Sequence, residues 1–364
     1  MRKTKLDRDI PVPLHYQIRK NLENQIRKGT LPVGGMLPPE RELMTMYKVS
    51  RATVRQALDD LANLGLIQRG AGKGTFVTGK GQAKDLFFTL ILPSQRMVSP
   101  AANLYYFIYY DLIKGVSEAC RTHAVKMQIL YVANDPESCK QGQIELKKLE
   151  NLNGVMFLGS GGYESLYKYV IDCGIPRVLL TMEEDPPDTA RIRADSYTGA
   201  CDLMEHFLSL GHRRIGLIYH RRSTLIRYQA YYDVLKKHGI PADPQLTEAI
   251  ELEKNEPVGA SLTSLRQPPT AIFASNDIIA MRLIDQLHAK GIRVPEDVSV
   301  AGFDDMPGVE NFTPPLTTVK IDSEKIGYEA VKLLKRWNED AAYTPSLHLL
   351  KTDLVIRKSC APLA

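Results

Sequence analysis

The chain has 364 residues, 44% apolar and 24% charged, with Lys and Arg exceeding Asp and Glu by 47 to 42. That is ordinary globular composition, which excludes a disordered chain and leaves room for two or three domains. The mild net charge of +5 conceals a split: residues 1–84 carry 16 basic against 7 acidic side chains, net +9, and the remaining 280 carry 31 against 35, net −4. A small basic segment on a larger, slightly acidic body points to a module for nucleic acid or an anionic surface, joined to something else. No apolar run approaches the ~20 residues that span a bilayer, so no membrane partner is expected. Met1 to Asp9 is basic without an apolar stretch, which does not suit a secretory signal. Cys120, Cys139, Cys173, Cys201 and Cys360 form no C-x-x-C pair. Reduced thiols in a cytoplasmic protein, with no metal site and no cofactor, are the expectation.

In chain order, Leu14, Ile18, Leu22 and Ile26 form an i, i+4 stripe, which predicts a first helix over 13–29 with Gly29 as its stop. A second, short helix begins at Pro38-Pro39-Glu40 and ends near Tyr47, with Glu40 and Glu42 complementing its positive end. Lys48-Val49-Ser50 is a tight turn in which Ser50 caps a third helix over 51–64. Val54, Leu58 and Leu61 make its buried face, while Arg51, Arg55 and Gln56 make the other. Leu66–Arg69 and Thr75–Thr78 are β-type runs around a tip, Gly70-Ala71-Gly72-Lys73-Gly74. Three helices, a tight turn before the third and then a hairpin are the order of a winged helix-turn-helix. The third helix is sized for a major groove, where Arg51, Arg55 and Gln56 reach base edges or phosphates. Ser50 and Thr53 suit phosphate at the helix N-terminus. Lys73, on a tip without bulky side chains, suits close approach to the duplex. The tip is not a phosphate-binding loop: Ile67 stands where the first glycine belongs, and Gly74 where Ser or Thr should follow the lysine.

The stretches 37–43, 49–58, 64–67 and 72–77 closely resemble the DNA-binding domain of the GntR family of bacterial regulators, over about 65 contiguous residues. The resemblance implies DNA contacts from Arg41, from Ser50, Arg51, Thr53 and Arg55, and from the tip Gly72, Lys73 and Gly74. The expected reader spans 1–80, followed by a polar linker at 81–86.

From 87 to 364 the pattern changes. Strand-length apolar runs at Phe87–Leu92, Lys126–Val132, Gly154–Leu158, Pro176–Leu180, Ile215–Tyr219, Ala271–Ala274 and Val298–Ala301 alternate with helical stretches such as 104–122, 196–210, 224–238, 277–290 and 322–339. Near-continuous apolar strands in β-α alternation mean parallel sheets covered on both faces, and this length suggests two lobes. Ligands of such sheets bind outside the carboxyl ends of the strands. Those ends carry Tyr105 to Tyr110, then His220, Arg221, Arg222 and Arg227. Ser275, Asn276 and Asp277, and finally Asp304 and Asp305, follow. Carboxylates, an amide, arginines and tyrosines suit a polyhydroxylated or polar ring ligand. Asn276 and Asp277 equally suit capping of the helix that follows.

The segments 210–216, 269–277, 294–305, 315–319 and 354–359 are similar to the effector domain of LacI/GalR-type repressors, a match over roughly 88–360. The resemblance implies the fold of periplasmic sugar-binding proteins, with two Rossmann-like lobes around a cleft. It carries ligand contacts to Arg227, in an Arg-x-x-Ala-Tyr that replaces the usual Arg-x-x-Gly-Phe, and to Asn276, Asp304, Asp195 and Tyr109. No hinge helix follows the reader, and the stretch 93–104 is longer than usual.

The expected fold is therefore α/β with a small α+β domain. The expected function is a dimeric regulator of transcription on a near-palindromic double-stranded operator, controlled by a small molecule. A sugar is the first choice of effector and a purine or nucleoside the second. Whether the effector releases or promotes DNA binding, and whether the protein represses or activates, stay open. An enzyme is not expected: Glu164 breaks the dinucleotide pattern after Gly159, and no G-x-S-x-G or H-E-x-x-H appears. The charge split makes a prediction. Residues 1–80 alone should keep DNA binding that weakens with salt, at a log–log slope near −0.9 per phosphate neutralised. They should lose any response to effector; fluorescence anisotropy across a salt series measures both.

Overall fold

The structure is a computed structural model that describes residues 6, 8, 13–27, 29–70, 74–78, 86–94, 100–133, 135–149, 152–159, 163–181, 186, 188–220, 225–251, 256–340 and 342–363, without the side chains of 27, 63 and 100–108. The Gly72-Lys73 tip, Arg221 and Arg222, and the stretch 81–85 expected as a linker lie outside the described residues, as do the side chains of Tyr105, Tyr106 and Phe107.

The first helices are α1 (Leu14–Arg27), α2 (Glu40–Tyr47) and α3 (Arg51–Asn63), followed by β1 (Ile67–Gly70) and β2 (Gly74–Val77). They bury one core: Ile18, Leu22 and Ile26 of α1, Leu43 and Tyr47 of α2, and Val54, Ala57, Leu58 and Leu61 of α3. The apolar stripes thus face inward as expected, with Leu14 half-buried at the start of α1. β1 and β2 pair antiparallel from Ile67↔Val77 to Gly70↔Gly74. Leu37 N–H donates to Thr75 at 2.8 Å, which ties the loop before α2 to this hairpin.

The body continues with β3 (Phe87–Pro93), α4 (Pro100–Thr122), β4 (Lys126–Val132), α5 (Pro136–Lys148), β5 (Leu152–Leu158), α6 (Glu164–Asp172), β6 (Arg177–Leu180) and β7 (Ala190–Ala194). Next come α7 (Ser196–Ser209), β8 (Ile215–His220), α8 (Leu225–Lys237), β9 (Thr247–Ile250), α9 (Ala260–Thr263), β10 (Ala271–Ala274), α10 (Asp277–Ala289) and β11 (Ser299–Ala301). β12 (Thr318–Lys320), α11 (Ser323–Glu339), β13 (Leu347–Leu350) and β14 (Asp353–Val355) complete it. One sheet has the order β13-β7-β6-β5-β3-β4 and a second the order β11-β10-β8-β9. β3 pairs parallel with β4 and β5, β5 with β6, β8 with β9 and β10, and β10 with β11. This is the expected parallel α/β architecture. The strands missing from the expectation, β7, β9, β12, β13 and β14, are short, three to five residues each.

The chain forms two compact units and passes between them five times: 1–95, 119–191 and 330–346 make the first, 96–118, 192–329 and 347–364 the second. In the first, Val155, Phe157, Leu166, Val170 and Leu179 sit in one core. In the second, two cores form. Ile272, Leu283, Ile284 and Val300 lie in one, and Leu203, Phe207, Tyr231, Phe273 and Phe303 in the other.

In the second unit two glycines set a close helix contact. A Cβ on Gly115 of α4 would lie 1.8 Å from the Glu324 carbonyl oxygen, and one on Gly327 of α11 would lie 2.1 Å from that of Leu112. Glycine mid-helix costs up to about 1 kcal/mol against alanine, and here only glycine lets the backbones meet. Gly115→Ala should therefore lose stability, by about 1–3 kcal/mol of overpacking, seen as a lowered urea midpoint by circular dichroism.

Candidate DNA-reading surface and ligand site

The turn before α3 is built as its residues dictate. Lys48 takes the left-handed conformation (φ 53°) that ends α2. Ser50 is extended, and its Oγ accepts from Thr53 N–H at 3.2 Å, with the two hydroxyls 2.8 Å apart. Both hydroxyls thus sit at the positive end of α3, where an anion is favoured. Arg51 and Arg55 project from α3 with side chains 65% and 56% exposed. Arg41 is exposed on α2. Gln56 is exposed, and its amide donates to Asp60 at 3.1 Å. Gly74 has φ +98°, and a Cβ there would lie 2.9 Å from Met36 Sδ, so this end of the hairpin requires glycine.

From its sequence position Glu40 only complements the helix dipole. In the structure its Oε2 accepts from Arg51 Nε at 3.0 Å and its Oε1 from Arg55 Nε at 3.3 Å. Burial pushes its carboxyl up, but the hydrogen bonds from Arg51 and Arg55 outweigh that and hold it below its ordinary value. At spacings of 11 and 15 residues, no local pattern could reveal the contact. Arg69 adds a second tie to α3, donating to Asp59 at 2.8 Å and to the Arg55 carbonyl at 3.3 Å.

In the second unit the carboxyl ends of β10 and β11 collect the polar groups. Arg227, on α8, donates through Nη2 to Asp304 Oδ1 at 3.0 Å and through Nη1 to the Ser275 carbonyl. Its guanidinium carbon lies 3.7 Å over the Phe303 ring, a cation–π contact. Both side chains are nearly buried, 13% and 9% exposed. Burial pushes the Asp304 carboxyl above its ordinary range while Arg227 pulls it back. Asp304 and Asp305 have φ of +113° and +55°, in the left-handed region that side chains other than glycine seldom enter. Such strain concentrates where function requires a fixed turn. Arg357 holds Asp305 at 2.6 Å and the Leu316 carbonyl at 2.8 Å. The Ala-Tyr that follows Arg227 in its motif is core: Ala230 and Tyr231 are buried, and the Tyr231 hydroxyl donates to the Ile215 carbonyl at 2.8 Å.

The structure thus brings Arg227, Asp304 and the Ser275-Asn276 backbone together. Asn276 also caps α10, its Oδ1 accepting from Ile279 N–H at 2.9 Å. Asp195 caps α7, accepting from Thr198 N–H and hydroxyl at 3.1 and 2.7 Å. Tyr109 lies half-buried on α4, its phenol raised by burial. Neither makes a hydrogen bond to the Arg227 group.

Asp277 differs from the expectation drawn from its strand end. Expected to face a ligand, its carboxylate turns inward, where it accepts from Met306 N–H at 2.8 Å and from the Thr318 hydroxyl at 2.5 Å. A Cβ on Gly302 would fall 2.2 Å from its Oδ1, so the pair packs too closely for anything else to enter. Burial pushes its carboxyl from 3.8 up to about 8, with the neighbouring Asp304 adding to the rise. A carboxyl with a raised folded-state value favours the folded state most at low pH. Its contribution falls as pH climbs from about 4 through 8. Asp277→Asn keeps the shape without the titration, so thermal melts of the variant should lose less stability than wild type across that window.

Residues 14–77 match the family described as bacterial regulatory proteins, gntR family, and residues 204–360 match a periplasmic binding protein-like domain. An arabinose metabolism transcriptional repressor of Geobacillus stearothermophilus is 24% identical over 96% of this chain and 98% of its own length. The HTH-type transcriptional repressor CytR of Escherichia coli K12 is 26% identical over 89% and 92%. Among solved structures, a transcriptional regulator CelR–cellobiose complex shares the fold with a TM-score of 0.66 and 21% identity, over 89% of this chain and all of that one. The chain therefore carries a gntR-type domain followed by a periplasmic-binding-protein-like domain, and such domains are those of regulators rather than enzymes.

Proposed function

We propose that this chain, a gntR-type reader joined to a periplasmic-binding-protein-like sensor, is a cytoplasmic transcriptional repressor of sugar-utilisation genes that leaves its operator when a small sugar binds the second unit. One observation carries the ligand half of the reading. The nearly buried Arg227–Asp304 pair, stacked on Phe303, stands at the carboxyl ends of parallel strands, where ligands of such sheets bind. A charged fork beside a carboxylate suits vicinal hydroxyls, and the buried Phe303 ring beneath the guanidinium fixes where that fork lies. The names of the relatives, repressors among them of arabinose metabolism, favour the same reading.

For the DNA half, Arg51, Arg55 and Arg41 would meet the duplex, with Ser50 and Thr53 at a phosphate. Two copies would place their α3 helices about 34 Å apart on successive half-sites. A coupling of about 1–3 kcal/mol between effector and operator gives a 5–150-fold change in DNA affinity. A thermal-shift panel of pentoses, hexoses, disaccharides and nucleosides on the full chain identifies the ligand class, and anisotropy on operator DNA then gives the coupling. A nucleoside hit replaces the sugar, and an operator affinity that rises with ligand makes the effector a corepressor. Constant affinity at saturating ligand defeats the control model. Arg227→Ala should weaken ligand binding by about 1.5–3 kcal/mol, the range for a charged hydrogen bond, and leave operator affinity without ligand unchanged.

A further inference from the structure

We propose that Glu40 sets the sequence selectivity of the reader by holding Arg51 and Arg55 as a fixed pair and by subtracting one charge from them. The proposal rests on the DNA-reading role given above for α3. Glu40 is the first residue of α2 and both arginines are on α3, so the contact spans the two helices of the helix-turn-helix. Each carboxylate oxygen serves one arginine, and each arginine is engaged through Nε. A guanidinium held at Nε keeps the Nη fork, the part whose geometry matches guanine O6 and N7. Arginine loses side-chain entropy when it orders on a base edge, and a side chain already ordered loses less. The clamp therefore favours the bound arrangement in the free protein.

The charge acts in the same direction. Two arginines without a counter-charge attract any phosphate backbone, and that attraction carries no sequence information. A carboxylate 3.0–3.3 Å from both reduces the local charge from +2 to +1. It thus lowers affinity for random duplex while leaving donors aimed at base edges. Glu40 is a positioning residue: it acts on the DNA through the two arginines.

The test compares the full-length wild type with Glu40→Gln. The probes are the duplex that wild type itself selects from a random library and a scrambled duplex of equal length. The expected result is a weaker grip on the selected duplex together with equal or tighter binding of the scrambled one, so that the selectivity ratio drops at least tenfold. In an Arg51→Ala, Arg55→Ala background the same Glu40→Gln change should no longer alter the ratio, because the clamp has nothing to hold. An equal loss on both duplexes, or no change on either, overturns the proposal; so does a full effect of Glu40→Gln in the double-alanine background. A melting temperature for each variant separates loss of fold from loss of selectivity, and a variant that unfolds makes Glu40 structural, which also overturns it. A wild-type chain that selects no sequence defeats the DNA-reading role itself, a failure visible before any variant is made.

Discussion

A carboxylate removed from water must find a proton, a cation or hydrogen-bond donors, because leaving it charged and alone costs several kcal/mol. The second unit meets this demand twice, at the start of α10 and just after β11. Asp277 is satisfied by Met306 N–H and Thr318, and holds its proton well above the usual range. Asp304 is satisfied by Arg227. Much of the local design follows. Residue 302 has to be glycine to let Asp277 in, the backbone at 304 and 305 turns left-handed just after it, and Phe303 supplies the ring on which Arg227 lies. The Arg227–Asp304 pair is thus the outer layer of a charge arrangement whose inner layer, around Asp277, is fold.

The reader solves a different electrostatic problem. Its basic side chains have to stay exposed and mutually repelling in the absence of DNA. Glu40 between Arg51 and Arg55, and Asp59 beside Arg69, relieve the repulsion without burying the cations. Exposed pairs of this type contribute little to stability, typically below about 1 kcal/mol. Their importance lies in where they hold the side chains.

The helices of the reader and the apolar strands β3, β4, β5, β6, β8, β10 and β11 were legible because their signals are local: i, i+4 apolar stripes, a Ser cap, apolar runs between turns. β7 was not, because alternating Arg191 and Arg193 disguise a strand whose other face is buried. Among candidate site residues, Arg227 and Asp304 are singled out by strand ends and motif alike, and the structure pairs them. Asp277 shares the same strand end, yet its direction is decided by Gly302 and Thr318, 25 and 41 residues away. His212, in a motif segment that pointed to the sensor family, is likewise structural. Thr270, Ser299 and the Ala361 carbonyl hold its ring, and burial lowers its basicity. A motif can mark a family through packing as readily as through chemistry.

The five passages of chain between the two units have a consequence for how such a protein can arise. The gntR match ends at residue 77 and lies in one continuous stretch, so a single crossover between genes is enough to exchange the reader for another. Exchanging one sensor unit would need matched breaks at five points in the coding sequence. The same crossover carries the rest of the chain whole, so reader and sensor can be exchanged as complete modules, whereas a hybrid of two sensor units is hard to reach by recombination.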